Sequence, residues 1–280
     1  MAATIYFYNK WTDGFSVRQL TSSLPYNVLF EVAPLSLAEK QKITTILDQP
    51  YHYIGKGCQF YVFESKDGQY VIKFLKQKHL RTFSQLSNVP MPHFLRQKID
   101  SKLARRKARI DDLLSSCKLA YEELANESGL LYIHLNRTPI FKQQIKIIDK
   151  LGFKHMIVLD NYEFILQKKA ISVNKTFSMI EDQELNRRVI QLVDLVKSRC
   201  EKGIRDRDRS FVQNVAFSLD GEQAFFIDVG QFYKDPTILL ESEQQSDLNK
   251  RLGSLHYWVE EKAPILLERI EEIISNYIVD

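Results

Sequence analysis

One stretch of the sequence combines residue types suited to binding a polyphosphate. Gly55 and Gly57 are separated by a single residue within an aromatic and apolar segment, and Lys73 follows an apolar run on the segment that returns after an Asp-Gly turn. Glycines let the backbone approach phosphates closely and direct amides at them. A lysine can reach the same phosphates as a point charge. An ordinary surface hairpin with a snorkelling lysine is the alternative interpretation of this stretch.

A second stretch supplies oxygen ligands and a general base. Asp206 and Asp208 lie on a loop that leaves a helix, Asn214 follows them, and Asp228 stands just past an apolar strand. Mg²⁺ prefers carboxylate and carbonyl oxygens, and a separate carboxylate can orient and deprotonate an attacking hydroxyl. The alternative is a surface loop with local ion pairs, which contribute little energy.

Several elements must position these residues. Ser36 and Glu39 form a capping-box pattern that predicts a short helix over 37–47. The turn at 65–68 contains Asp-Gly and predicts a hairpin between 51–64 and 69–75. The remaining predicted elements are a helix over 94–126 ended by Gly129, a strand over 130–135, a helix over 140–150, paired strands over 153–159 and 162–168, a helix over 184–202, a hairpin of 215–219 with 224–227, and helices over 244–258 and 264–278. We interpret residues 1–34 as a short strand or loop extension. The segregation of strands and helices predicts an α+β fold.

Composition excludes several classes of protein. The chain has 280 residues, of which 44% are hydrophobic and 26% charged, so it is neither disordered nor fibrous. A net charge of +4 is consistent with an anionic ligand but does not by itself indicate nucleic acid. Lys and Arg dominate one face of the predicted helix between Arg96 and Arg109. A solvated surface is the simpler interpretation of this basic helix, and contact with an acidic lipid or nucleic-acid surface is the other.

Cysteine usage and the ends of the chain indicate the compartment. Cys58, Cys117 and Cys200 are far apart and form neither a disulfide pattern nor a zinc motif, which predicts a reducing, cytoplasmic environment. The N-terminus lacks the features of a signal peptide, and we find no apolar stretch long enough to be a transmembrane helix.

Taken together, the motifs resemble those of the protein-kinase-like superfamily. The glycine-rich hairpin, the lysine of Val-Ile-Lys, the Asp…Asn loop and the Asp228-Val229-Gly230 triplet occur in the family's order, with a short hairpin between Asn214 and Asp228. The match spans about residues 50–235. It implies a two-lobed fold with a β-rich N-terminal lobe, a small helical C-terminal lobe and ATP in the cleft between them.

The resemblance also implies a role for each residue. Gly55 and Gly57 would cover the phosphates and Lys73 would hold the α- and β-phosphates. Asn214 and Asp228 would bind Mg²⁺. Asp208 or Asp206 would be the catalytic carboxylate. Val62 would contribute to the cofactor site, and the strand 164–166 with Gln167 would be the hinge that contacts adenine. Glu122 or Glu123 would pair with Lys73, and Asp112 is a further candidate.

The sequence departs from the family pattern at three points. Phe60 replaces the third glycine of the loop. Asp208 lies six positions before Asn214 and Asp206 eight, whereas the family has about five; spacing favours Asp208, while Arg205-Asp206 is similar to the family's Arg-Asp pair and Asp208-Arg209 to the Asp-Arg of phosphoinositide kinases. The segment after Gly230 is short and has no Ala-Pro-Glu, which is closer to compact bacterial small-molecule and lipopolysaccharide-core kinases.

These features give three hypotheses. The first is an ATP- and Mg²⁺-dependent phosphotransferase acting on a hydroxyl of a small molecule, glycolipid or protein. The second is a pseudokinase that binds a nucleotide or partner without turnover. The third is a basic interaction protein that binds acidic surfaces through residues 96–109. In the first two, residues 1–49 form an extension with a short helix, 50–168 the N-terminal lobe and 169–280 the C-terminal lobe.

Overall fold

The computed structural model describes residues 10–22, 24–77 and 92–279. The chain divides into two compact units. The first, which we name the sheet unit, contains Met1–Lys118 and Leu130–Lys168. The second, the helical unit, contains Leu119–Gly129 and Lys169–Asp280. The fold is a mixed α+β one, as predicted.

The sheet unit contains a seven-stranded sheet. Its helices are α1 (Leu37–Leu47) and the greater part of α2 (His93–Glu123), and short 3-10 helices cover Val17–Gln19, Val28–Phe30 and Leu159–Asn161. The strands are β1 (Tyr51–Lys56), β2 (Phe60–Ser65), β3 (Tyr70–Leu75), β4 (Leu130–His134), β5 (Gln144–Ile148), β6 (Lys154–Val158) and β7 (Phe164–Lys168). Their order is β4-β7-β3-β2-β1-β5-β6, with β1 and β5 parallel and the other pairs antiparallel.

Local sequence signals explain the first elements of this unit. The Ser36 hydroxyl accepts a hydrogen bond from the Glu39 amide at 3.2 Å, and the Glu39 carboxylate accepts one from the Ser36 amide at 2.9 Å. This confirms the capping box and the predicted helix over 37–47. At the β2–β3 turn Gly68 has a φ of 70°, which glycine adopts without strain. The predicted hairpin is therefore confirmed, with β1 and β2 as separate strands.

The core of the sheet unit is aromatic and lies on one face of the sheet. Phe15 packs edge-on against Tyr61 and Phe63, with ring centroids 5.2 and 5.3 Å away. Phe63 in turn packs against Phe74 at 5.8 Å, and both are fully buried. Since side chains alternate along a strand, the neighbours of these aromatic residues, including Lys73, lie on the opposite face.

The helical unit contains two small sheets, ordered β11-β10-β8 and β12-β9. The strands are β8 (Ala170–Ser172), β9 (Ile204–Asp206), β10 (Val215–Ser218), β11 (Ala224–Phe226) and β12 (Phe232–Lys234). The helices are α3 (Ala125–Ser128), α4 (Val173–Phe177), α5 (Asp182–Glu201), α6 (Phe211–Asn214), α7 (Glu241–Lys262) and α8 (Leu267–Val279), with 3-10 turns over Pro236–Leu239 and Pro264–Leu266. None of the described helices has the length and hydropathy needed to cross a membrane.

Two predicted elements of the sheet unit are wrong. Residues 140–150 contain β5 instead of a helix, since the run from Gln144 alternates exposed and buried positions, as a strand does. The strands over 153–159 and 162–168 exist but do not pair with each other: β6 pairs with β5, and β7 pairs with β3 and β4. Asp160 between them accepts hydrogen bonds from the amides of Phe141 and Lys142 and so joins a distant loop instead of forming a hairpin turn.

Of the two predicted alternatives for the N-terminal extension, a short strand or a loop, the described residues 10–22 and 24–34 form the loop, with a helical turn and two 3-10 helices and no strand. The part of the expectation that concerns residues 1–9 lies outside the described residues. The helices predicted over 94–126, 184–202, 244–258 and 264–278 are confirmed within a few residues at each end.

Candidate functional site

In the sheet unit, five residues from five strands form one row across the sheet. Gly55 pairs with Val62, Val62 with Lys73, Lys73 with Ile165, and Ile165 with Ile133. Residues directly opposite on neighbouring strands project to the same face. Val62 and Lys73 are half-buried. The structure thus brings three predicted cofactor-site residues, Gly55, Val62 and Lys73, together on the face opposite the aromatic core.

Gln167 lies on the same face of the sheet as Lys73. It pairs with Val71, two residues before Lys73 on β3, and only 1% of it is exposed. The sheet unit ends at Lys168, directly after this residue. The predicted hinge strand is therefore β7, which lies between β3 and the edge strand β4, and Gln167 stands near its end.

The two glycines of the β1–β2 loop are not explained by backbone strain or by packing. Neither has a positive φ, and a Cβ built on either would meet no atom within 4 Å among the described residues. Gly57 donates its amide to the carbonyl of Phe60 at 3.0 Å and so closes the loop. Glycine here leaves the backbone open to a close neighbour such as a phosphate, so these residues fit the phosphates of ATP.

Lys76 is a further residue of this loop that the sequence analysis missed. Its amide donates to the carbonyl of Gln59 at 2.8 Å, its ammonium donates to the carbonyl of Gly57, and its Nζ lies 4.8 Å from the Tyr61 ring centroid. Burial, and then the nearby charge of Lys56, lowers the pKa of Lys76 to about 8. Its position directly after the Lys73 strand, opposite the glycine loop, was the available signal.

In the helical unit, the β10–β11 hairpin positions Asn214 and Asp228. Val215 pairs with Phe226, and the amide of Ile227 donates to the carbonyl of Asn214 at 2.8 Å. The two predicted metal ligands therefore stand at the open end of one hairpin. Asn214 is half-buried, and Asp228 is exposed. Its Oδ1 accepts a hydrogen bond from the Gly230 amide at 3.1 Å.

The donor set at this end of the hairpin fits Mg²⁺. The residues that the structure describes form no cluster of three or more His, Cys, Asp or Glu side chains able to hold a metal ion alone. Mg²⁺ typically takes one or two carboxylates from the protein and its other ligands from phosphates and water. Asn214 and Asp228 offer one amide oxygen and one exposed carboxylate, which matches that requirement.

The side-chain amide of Asn214 interacts with the Asp208 carboxylate and lowers its pKa. That carboxylate also accepts a hydrogen bond from the Ser210 amide at 2.8 Å. Burial raises the pKa of Asp208, but the hydrogen bonds from Ser210 and Asn214 outweigh this effect and leave its pKa below the ordinary value. Asp208 is consequently an ionised carboxylate at neutral pH, in contact with a predicted metal ligand.

Asp206 has a different environment. Only 7% of its side chain is exposed, and it lies 3.6 Å from Arg251 and 3.9 Å from Arg199. It also accepts the amide of Asp208 at 2.8 Å. Burial raises its pKa, although the two arginines oppose the change. These contacts give Asp206 a part in holding the loop, whereas Asp208 is the more accessible carboxylate.

A buried ion cluster anchors this loop and was not predicted. Arg199 on α5 is fully buried and pairs with Asp247 on α7, and Arg251 lies 3.6 Å from Asp247. Arg251 also donates to the carbonyls of Asp206, at 2.6 Å, and Asp208. One signal was present in the sequence: position 199 continues the apolar stripe of α5, where a charged residue requires a buried partner.

The three acidic residues that are candidates for pairing with Lys73 have different surroundings. Glu123 forms an ion pair with Lys234, and its carbonyl accepts a hydrogen bond from Lys202 at 2.9 Å. Glu122 and Asp112 are exposed. The carboxylate of Glu123 is thus engaged elsewhere, and the pairing of Lys73 with an acid of this helix stays a prediction.

No family model matches the chain, and no curated protein matches it. The solved structures that are similar to it include the following two. Rv3197 from Mycobacterium tuberculosis, in complex with erythromycin, is 14% identical with a TM-score of 0.35; the match covers 85% of this chain and 60% of that protein, so this chain spans less than two thirds of its length. APH(2″)-IIa, solved with streptomycin and ATP, is 13% identical with a TM-score of 0.29, over 87% of this chain and 91% of that one. At these TM-scores the likeness does not define a family for this chain.

Proposed function

We propose that this protein is an ATP- and Mg²⁺-dependent phosphotransferase of the protein-kinase-like superfamily that acts on a hydroxyl group, most simply that of a small molecule. One observation carries the proposal: Asn214 and the exposed Asp228 share the open end of one hairpin, and Asp208, whose carboxylate interacts with the Asn214 side chain, lies on the loop that leads into it. A general base, a metal-ligating amide and a metal-ligating carboxylate are the residues that phosphoryl transfer requires.

We assign the nucleotide to the row across the sheet. Gly55 and Gly57 leave their backbone open to phosphates, and Lys73 supplies the positive charge that steadies the α- and β-phosphates. Val62 offers an apolar surface for the base, and Gln167, at the end of β7, marks the segment that contacts adenine. Lys76, which holds the carbonyl of Gly57, keeps the loop in place.

We assign Mg²⁺ to Asn214 and Asp228, where the bound ion would neutralise phosphate charge. Asp208 accepts the hydrogen bond of the attacking hydroxyl and takes its proton as the new O–P bond forms and ADP leaves. Its lowered pKa ensures that it is ionised and able to accept that hydrogen bond at neutral pH. The chemistry otherwise depends on positioning and on charge stabilisation.

We also propose domain limits and a location. Residues 1–49 form an extension, 50–168 the N-terminal lobe and 169–280 the C-terminal lobe of a kinase-like fold. All three cysteines are free, which supports a reducing, cytoplasmic location. Contact of the basic helix with acidic surfaces stays a prediction.

Release of ADP tests the proposal when the protein is incubated with ATP, Mg²⁺ and a panel of hydroxyl compounds. We expect Lys73→Ala and Asp208→Asn each to lower kcat about 100-fold or more. Lys66→Ala, at the exposed β2–β3 turn, is the matched control and should retain activity. Full activity in Asp208→Asn would transfer the catalytic role to Asp206, and full activity in Lys73→Ala would contradict the assignment of the nucleotide.

A nucleotide-binding pseudokinase is the second candidate. The longer spacing between Asp208 and Asn214 and the presence of Phe60 at the third glycine position favour it. This candidate predicts thermal stabilisation by ATP that does not depend on Mg²⁺ and no ADP release with any acceptor. The phosphotransferase predicts stabilisation that requires Mg²⁺ and is lost in Asp228→Ala.

A further inference from the structure

A basic cavity lies beside Asp208, wholly within the helical unit. Its volume is about 550 Å³, and it is lined by β9, the loop that follows it, and one side of α7. Five of its side chains are basic, three are acidic, and Tyr233 completes the lining. The basic residues are Arg205, Arg207, Arg209, Lys250 and Arg251.

Two of the five cations are neutralised by carboxylates of the protein. Arg205 lies 2.6 Å from Asp235 and 2.7 Å from Glu243. Arg251 lies 3.6 Å from Asp206 and belongs to the buried ion cluster described above. These two arginines therefore serve the structure of the loop and contribute little net charge to the cavity.

The other three cations, Arg207, Arg209 and Lys250, are exposed. Within residues 10–22, 24–77 and 92–279, no carboxylate lies within ion-pair distance of any of them. The Arg207 guanidinium lies 4.4 Å from the Tyr233 ring centroid, a stacking contact that restricts its orientation. Three cations with no carboxylate partner among the described residues, one of them held against an aromatic ring, create a positive potential beside Asp208.

We propose that the acceptor is a small hydroxyl compound that already carries a phosphate group, a soluble sugar or polyol phosphate, and that Arg207, Arg209 and Lys250 bind this phosphate. The inference rests on the proposed function and names the substrate class of the same site. Guanidinium groups match phosphate oxygens in a bidentate geometry, and a cavity of this volume suits a small molecule. An amine-bearing acceptor would instead meet three like charges.

The reaction then adds a second phosphate to the compound. The acceptor hydroxyl oxygen forms a bond to the γ-phosphorus of ATP, the bond from that phosphorus to the bridging oxygen breaks, and ADP leaves with the bond's electron pair. The hydroxyl proton passes to Asp208. The first phosphate of the acceptor does not react and serves to place the hydroxyl at Asp208.

Calorimetric titration of the full chain, with its nucleotide site saturated by a non-hydrolysable ATP analogue and Mg²⁺, tests the inference. The probes are a hexose monophosphate, a glycerol phosphate and an inositol monophosphate, each with its unphosphorylated parent, together with glucosamine and vesicles that carry a phosphoinositide. We expect at least one soluble phosphate to bind about tenfold or more tightly than its parent. Preferential binding of the vesicles would assign the phosphate to a lipid headgroup and overturn the commitment to a soluble acceptor.

Two triple variants distinguish binding of the phosphate at a local site from a general effect of the protein's net charge. Arg207→Gln/Arg209→Gln/Lys250→Gln should remove the preference for the phosphorylated probe and leave the affinity for the ATP analogue unchanged. Lys102→Gln/Arg105→Gln/Arg109→Gln removes the same charge from exposed positions on α2 and should keep the preference. An equal loss in both variants, equal binding of parent and phosphate, or no binding of any phosphorylated probe would overturn the inference.

Failure of this inference is distinguishable from failure of the proposed function. Turnover of ATP with neutral or amine-bearing acceptors, without preference for phosphates, would overturn the acceptor class and leave the phosphotransferase intact. Binding of a sugar phosphate without any turnover of ATP would overturn the phosphotransferase and leave the phosphate site intact.

Discussion

Replacing Asp247 with alanine should destabilise the helical unit strongly. Asp247 is nearly buried, with 7% of its side chain exposed, and its carboxylate contacts both Arg199 and Arg251. Arg199 is fully buried. Without Asp247 the nearest remaining carboxylate to Arg199 among the described residues is that of Asp206, 3.9 Å from Nη1. The variant therefore leaves a buried guanidinium with no close carboxylate, only the Cys200 sulfur at 3.6 Å and Asp206 at 3.9 Å.

The expected loss in the free energy of unfolding follows from how few hydrogen bonds the Arg199 guanidinium makes. Nε and Nη1 of Arg199 already have no hydrogen-bond partner, and Nη2 donates to Asp247 and, at 3.6 Å, to the sulfur of Cys200, so Asp247 is the only charged hydrogen-bond partner of this side chain among the described residues. Removing one partner of a buried ion pair costs about 3–5 kcal/mol. We expect about 3 kcal/mol, since Asp206 stays nearby. Arg199→Met/Asp247→Leu should cost less than Asp247→Ala because neither charge is then left buried.

Urea unfolding followed by the fluorescence of Trp258 measures the loss in the relevant unit. Trp258 lies on α7, with its ring centroid 6.1 Å from that of Phe177, and Trp11→Phe removes the only other tryptophan. Glu260→Ala, at an exposed position on the same helix, is the control and should change the free energy of unfolding by less than about 0.5 kcal/mol. A loss below about 1 kcal/mol in Asp247→Ala, or a larger loss in the double variant, would refute the reasoning.

Three further predictions test single contacts. Gly55→Ala and Gly57→Ala should change the free energy of unfolding by less than about 1 kcal/mol yet weaken ATP binding in calorimetry, whereas a large loss of stability would show that packing requires these glycines. Acylation of Lys76, followed by mass spectrometry against pH, should have its midpoint near pH 8, and a midpoint at 10.5 would contradict the burial of its amine. Because the pKa of Lys76 is lower in the folded state than in the unfolded state, its contribution to stability should increase as the pH rises from about 8 to 10.5. Gly221→Ala should lower the urea midpoint, since Gly221 has a φ of 74°, in the left-handed region that strains a residue with a Cβ; an unchanged midpoint would argue against this.

Elements with complete local signals could be predicted from the sequence. The helix over 37–47 carries its own capping box, and the hairpins around Gly68 and Gly221 carry Asp-Gly turns with positive φ. In each case residues a few positions apart satisfy one another, so no distant partner is needed to define the structure.

Elements that depend on distant partners could not be predicted. Residues 144–148 are a strand because they pair with β1 and β6, and β1 is far away in the sequence. The alternation of Gln144, Ile145, Lys146 and Ile147 was a usable signal, but it is short enough to be compatible with a helix. The pairing of β7 with β3 and β4 likewise depends on contacts between segments distant in sequence.

The candidate site also contains residues that the sequence could suggest and contacts that it could not. Residue type and spacing were enough to name Lys73, Asn214 and Asp228 as candidates, and their roles stay predictions. The choice between Asp206 and Asp208 was open because it depends on which carboxylate meets buried arginines, and those arginines come from α5 and α7. Charge partners that lie tens of residues apart leave no local pattern, so the ion cluster could be found only in three dimensions.

Calorimetric titration with ATP, in the presence and absence of Mg²⁺, tests the central claim most directly. We expect one ATP to bind per chain and Mg²⁺ to strengthen its binding. Lys73→Ala and Asp228→Ala should each weaken binding about tenfold or more, and Asp228→Ala should also remove the effect of Mg²⁺. Binding of ATP that neither substitution changes, or no binding of ATP to the unaltered protein, would contradict this claim.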